Sequence, residues 1–212
     1  PHASLGGRAT ISDSVSRWGI AVLIGSERAR TPLPDRATAP VKVFLLGRFE
    51  VVRGDAPIPH AAWRRRRPAD LLKLLSLAPG RALARDRAVE ALWPDKDGAS
   101  GANNLHRALY DLRQILGGRF VDLERGELRM RPEVWIDVDA FQAAADAQAL
   151  EEAVALYCGD LAPEDRDAAW LERPRAALRR RFAETAVPLA RRSGERRDAA
   201  RAISLLRRAL EV

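Results

Sequence analysis

The sequence predicts an α+β region followed by an all-α region, and three observations carry that prediction. Short β-rich runs begin near Val41, where the pattern sharpens. Three helical segments and a β-hairpin follow between residues 64 and 138. From Asp139 onward the pattern is helical throughout, with small residues where helices would meet. A chain of 212 residues is long enough for one or two domains with a sizeable core.

Each element has a local reason. Residues 1–40 close on "RTPLPDRATAP", and three prolines in that stretch predict a linker or irregular arm. Within it "GIAVLIG" has strand character without an identifiable partner strand. Runs 41–46 and 49–53, broken by Gly47 and followed by an "RGD" turn, predict a small antiparallel hairpin or three-stranded sheet. "RRRRPADLLKLLSLAPG" carries Leu71, Leu72, Leu74, Leu75 and Leu77, a buried helix stopped by Pro79-Gly80. "ARDRAVEALWP" is a second, shorter helix with Asp86 as its expected N-cap. "DKDGASG" reads as a polar loop over 95–101.

The third helix, 102–116, is the most informative. Leu105, Leu109, Leu112 and Leu116 share a narrow arc at 100° per residue, with Ala108 and Ile115 at its edge. Asn103, Arg107, Tyr110 and Gln114 lie opposite, with His106 and Arg113 beside them. Gly117-Gly118 ends the helix. "RFVDLERGELRMRPEVWIDV" then folds about Arg125-Gly126 as a hairpin. Two short helices, a longer amphipathic one and a basic hairpin are the plan of a winged helix-turn-helix. Such a helix is about 22 Å long and fits a major groove about 12 Å wide.

Beyond Asp139, helices alternate with turns expected at Gly159-Asp160-Leu161 and Ser193-Gly194. Ala153, Ala186, Ala190, Ala199 and Ala202 at the expected contacts suggest tetratricopeptide-like pairs, although an ordinary bundle would give a similar sequence. The domains expected are an arm at 1–40, a winged helix at 41–138 and a helical domain at 139–212. The chain begins at Pro1 and stops inside a helical pattern, as expected of a piece of a longer protein. Ile203, Leu206 and Leu210 are then expected to be exposed.

Charge narrows the function. Of a net charge of +7, the excess sits in residues 41–131, with 18 Lys and Arg against 11 Asp and Glu. Clustered cations on one domain point to a polyanion. The face of Asn103, His106, Arg107, Tyr110 and Gln114 offers donors and acceptors to base edges, Arg suiting guanine and Asn or Gln adenine. Arg64, Arg65, Arg66 and Arg67 oppose the dipole of the helix they open, which an anion would relieve. They are expected on phosphates, as are Arg113, Arg125, Arg129 and Arg131. Asp111 either reads a cytosine or pairs with Arg107 at i,i+4.

Other functions are poorly served. The longest apolar run, residues 18–25, is far short of the ~20 residues that span a bilayer, and no signal peptide is visible. One cysteine, Cys158, fits a reducing cytoplasm and is expected to be buried. His60 and His106 lack metal-ligand spacing, so no metal or cofactor is expected. No Gly-rich phosphate loop or catalytic triad appears, which argues against an enzyme. Trp63, Trp93, Trp135 and Trp170 are expected in the core or at the domain junction.

"ALWPD" (91–95), "NNL…AL..LR..LG" (103–117) and "VWIDVDAF" (134–141), with "ALYCGDLAPE" (155–164) and "WLERPRAALRRRF" (170–182), carry a further indication. Together they resemble the SARP-type bacterial activators, in which an OmpR-type winged helix precedes a bacterial transcriptional activator domain. The resemblance spans about 41–212. It implies promoter DNA binding, RNA polymerase recruitment with loop 95–101 as a contact, and dimers on direct repeats. The alternative from another class is a helical-repeat adaptor whose basic domain binds protein or another polyanion.

Overall fold

A computed structural model describes residues 40–118 and 120–211. The arm expected at 1–40, with its apolar run, lies outside these residues except for Pro40. Strand β1 (Val41–Phe44) alternates as a half-buried strand should, Val41 and Val43 inward and Lys42 outward. It pairs antiparallel with β2 (Glu50–Arg53), which pairs with β3 (Ala56–Pro57). The sheet has four strands rather than three. Residues Trp135–Ile136, labelled β7 in chain order, return parallel to β1 and give the order β3-β2-β1-β7.

Strand β1 is shorter than the expected 41–46 because the next two amides have another acceptor. The N–H groups of Leu45 and Leu46 donate to Asp137 Oδ2 at 2.8 and 2.9 Å. Gly47 then turns the chain at φ +87° against the backbone of Cys158, where a Cβ would sit 3.0 Å from the carbonyl carbon.

Helices α1 (Arg66–Ser76), α2 (Arg85–Leu92) and α3 (Gly98–Leu116) follow. Asp86 lies in the first turn of α2 and does not cap it. Ala84 holds the cap position because Ala82–Ala84 is a strand, β4, from which the Arg85 N–H continues to the Gly126 carbonyl at 2.8 Å. Most of the loop expected at 95–101 is helical as well. Asp97 caps α3, accepting the Ser100 N–H at 2.7 Å, and that bond holds its carboxyl below the ordinary carboxylate range.

The α3 core face is as expected: Leu105, Ala108, Leu109, Leu112 and Leu116 are buried, each leucine worth about 1.5–3 kcal/mol of apolar burial. Gly117 ends the helix at φ +73°. Strands β5 (Val121–Glu124) and β6 (Glu127–Met130) form the predicted hairpin. Arg125 and Gly126 both have positive φ, the signature of a type I′ turn. With β4 on the far side of β6, the hairpin becomes a three-stranded sheet.

The remainder is helical: α4 (Asp137–Asp146), α5 (Leu150–Leu156), α6 (Ala169–Glu195) and α7 (Ala199–Glu211). The turn expected at Ser193-Gly194 lies further on. Helix α6 runs through Gly194, and the chain reverses at Arg197 (φ +61°) before Asp198 accepts the Arg201 N–H at 3.0 Å. The turn at Gly159–Leu161 is the start of a longer connection, 157–168. It binds the β1–β2 turn through a Leu46–Leu161 bridge and a Gly47 N–H bond to the Asp160 carbonyl.

One apolar core runs from Val41 to Leu205, with Tyr157 stacked on Phe182 at 4.3 Å and tilted against Phe141 at 5.3 Å. Trp93 joins that core, and Trp63 and Trp170 are half-buried against it. Trp135 instead stays 36% exposed against Phe44, because its strand has only one covered face. Cys158 is exposed, not buried, since Tyr157 takes the inward position at the end of α5. Ile203, Leu206 and Leu210 are exposed as expected.

Candidate nucleic-acid interface

Packing of α3 decides what its other face can do. Burial of the leucine stripe leaves Asn103, His106, Arg107, Tyr110 and Gln114 all exposed, and Tyr110 is 62% accessible. None of the five side chains has a hydrogen-bond or ion-pair partner among the described residues. Among the described residues nothing engages the donors and acceptors of this face. Asp111, at its flank, pairs with Arg65 at 2.9 Å and not with Arg107. That pair ties the start of α1 to the middle of α3 and leaves the Arg107 guanidinium unpaired among the described residues.

The other arginines divide by their partners. Arg113 is half-buried, and its Nε donates to the Val121 carbonyl at 2.9 Å, so it braces α3 against β5. Arg125 stands exposed at the hairpin tip, without an ion pair among the described residues. Arg129 pairs with Glu127 at 2.5 Å and Arg131 with Asp122 at 3.2 Å, and both arginines are exposed. Exposed pairs of this kind are worth at most about 1 kcal/mol, so they leave the arginines available. Arg64, Arg65, Arg66 and Arg67 are exposed as well, although acids accompany the last three.

Several positions that hold the surrounding elements together had no signal in the sequence. Arg81 reaches Asp139 at 2.5 Å and the Val134 carbonyl at 2.5 Å, fastening the turn before β4 to the start of α4. Gly101 allows α3 to approach Val89 of α2. Asp137 is buried in the link from the sheet to α4, and burial raises its pKa to about 6 against the opposing N–H bonds from Leu46 and Leu45. Among the described residues no group of three or more His, Cys, Asp or Glu is placed to hold a metal ion. Among them, too, no helix is long and apolar enough to cross a membrane.

No family model matches the chain, and no curated protein does. A solved structure, Mycobacterium tuberculosis EmbR in complex with a low-affinity phosphopeptide, is similar in fold with a TM-score of 0.56 at 19% identity. The likeness covers 81% of this chain and 54% of EmbR, so the chain spans about half the length of that protein. A small sheet region followed by a mostly helical region is thus an arrangement that a known solved structure shares.

Proposed function

We propose that this chain is a sequence-specific double-stranded DNA-binding transcriptional activator of the SARP type. The observation that carries the reading is the open polar face of α3, five side chains wide on a helix whose other side is buried. In this reading residues 41–138 form a winged helix, residues 139–212 a tetratricopeptide-like activator domain, and residues 1–40 an arm. Helix α3 enters the major groove, where Arg107 addresses guanine O6 and N7 and Asn103 or Gln114 an adenine. His106 and Tyr110 contact neighbouring base edges or the thymine methyl. Arg64 and Arg125, with Arg113, Arg129 and Arg131, grip phosphates and set the register without specifying sequence. Arg65, Arg66 and Arg67 lie beside Arg64 in the chain, each paired with an acid.

Polymerase recruitment, dimers on direct repeats and a cytoplasmic location belong to the same reading. The likeness in fold to EmbR and the motifs at 91–95, 103–117 and 134–141 support it. Selection of bound sequences from a random duplex pool tests it. A short repeated consensus is expected, and a pool left unenriched after several rounds rejects sequence-specific readout.

A second reading, a protein-interaction adaptor, is favoured by the exposed Ile203, Leu206 and Leu210 of α7 and Val187 of α6. It predicts no duplex binding, or binding that salt does not weaken. Duplex binding through about six phosphates instead loses orders of magnitude between 50 and 200 mM salt.

A further inference from the structure

The basic run at 64–67 is not four free cations. Arg65 Nη1 donates to Asp111 Oδ2 at 2.9 Å. Arg66 Nη2 donates to Asp165 Oδ1 at 3.1 Å, and its Nε lies 3.5 Å from Asp70 Oδ1. Arg67 Nη1 donates to Asp70 Oδ2 at 3.2 Å, and its guanidinium sits over the Trp93 ring at 5.6 Å. Among the described residues Arg64 has no acidic partner.

Arg66 differs from its neighbours in where its acid comes from. Its side chain is 62% exposed, yet Asp165 is buried and belongs to the 157–168 connection of the helical region. Asp165 also accepts from the buried Lys73, which donates to Glu164 at 2.7 Å. The connection is held firmly. Arg175 donates to the carbonyls of Leu161, Ala162 and Asp165 at 2.9, 2.8 and 2.9 Å, and the Ala162 N–H donates to the Leu45 carbonyl at 2.8 Å. A surface cation next to the expected DNA face is therefore clasped by a carboxylate that cannot swing away.

We propose that Asp165 masks Arg66, so that the helical region sets how many phosphates the N-terminal region grips. This inference rests on the duplex-binding reading. Each phosphate that a cation neutralises releases condensed counterions and steepens the salt dependence by about 0.9. A guanidinium already compensated by buried carboxylates brings little net charge to a phosphate. Drawing it away would leave Asp165 buried with less compensation, which is costly. Neutralisation of Asp165 frees Arg66 to act as a further clamp.

The test is the salt dependence of binding of the 212-residue chain to a short random-sequence duplex. Arg64→Gln should lower the slope by about 0.9 and Arg66→Gln should leave it unchanged. Asp165→Asn should raise the slope by about 0.9, and adding Arg66→Gln should cancel that rise. Arg66 is exposed, so its variant keeps the proposal testable even where Asp165→Asn folds poorly. A fall for Arg66→Gln equal to that for Arg64→Gln overturns the masking, as does a rise in Asp165→Asn that survives loss of Arg66. Duplex binding by neither the unaltered chain nor Asp165→Asn rejects the masking together with the duplex reading. Binding by the unaltered chain with equal losses for the two arginines rejects the masking alone.

Discussion

Gly101 of α3 lies against Val89 of α2 so closely that a Cβ on Gly101 would stand 2.3 Å from Val89 Cγ1. This contact sets the separation of the second and third helices, and hence how α3 is presented. Val89 is β-branched and stiff, so it cannot turn aside freely. Gly101→Ala should therefore destabilise the chain by about 1–3 kcal/mol, the usual cost of overpacking, despite the better helix propensity of alanine. Chemical denaturation checks this. Adding Val89→Ala should restore part of the loss, and an unchanged midpoint in Gly101→Ala would show that the helices can part at no cost.

Asp137 couples the β1–β2 turn to α4. Removing its carboxylate in Asp137→Ala leaves the buried Leu45 and Leu46 N–H groups without their acceptor, at a cost of about 2–4 kcal/mol. Its titration gives a second signature. Burial raises its pKa from 3.8 to about 6, above the unfolded value. The folded state therefore binds the proton more tightly. The contribution is full below about pH 4 and is lost as pH rises through about 6. Stability of the unaltered chain relative to Asp137→Asn should fall across that window, by up to about 3 kcal/mol. Parallel pH profiles for the two proteins would contradict it.

If Arg107 reads a base, as proposed, it should discriminate. Arg107→Ala should weaken binding to a selected site by about 1–3 kcal/mol and binding to random duplex far less. Competition gel shifts measure the two losses. Equal losses would move Arg107 from the bases to the backbone.

The arginine clamp on the 157–168 connection should be structural in its own right. Arg175 is buried and donates to three carbonyls, so Arg175→Met removes those bonds and leaves the Leu161 carbonyl without another partner among the described residues, while the Ala162 and Asp165 carbonyls keep the Asp165 and Ala168 N–H groups. A loss of roughly 3 kcal/mol is expected on removing a buried charged donor with several partners. Thermal unfolding that leaves the midpoint unmoved would exclude that role.

Legibility in the sequence followed range along the chain. The two faces of α3 were readable because helical periodicity is local, and Leu105, Leu109, Leu112 and Leu116 mark one side without reference to anything else. The Arg125-Gly126 turn was readable for the same reason. Strand β4 was not: Ala-Leu-Ala has no β preference, and only pairing with β6 makes it a strand. Strand β7 depends on meeting β1, more than ninety residues earlier. The candidate site divides likewise. Exposure of Asn103, His106, Arg107, Tyr110 and Gln114 follows from the wheel. The partners of Arg65 and Arg66, by contrast, lie at Asp111 and Asp165, and nothing near residues 64–67 announces them.

Placement of a photo-reactive phenylalanine derivative at Tyr110 probes the open face of α3 where it is 62% accessible. The same group at Val187, 43% accessible on α6, serves as the control. If α3 docks against base edges, irradiation with duplex DNA should crosslink position 110 to bases and leave position 187 unlinked. Crosslinks from 187, with none from 110, would contradict it.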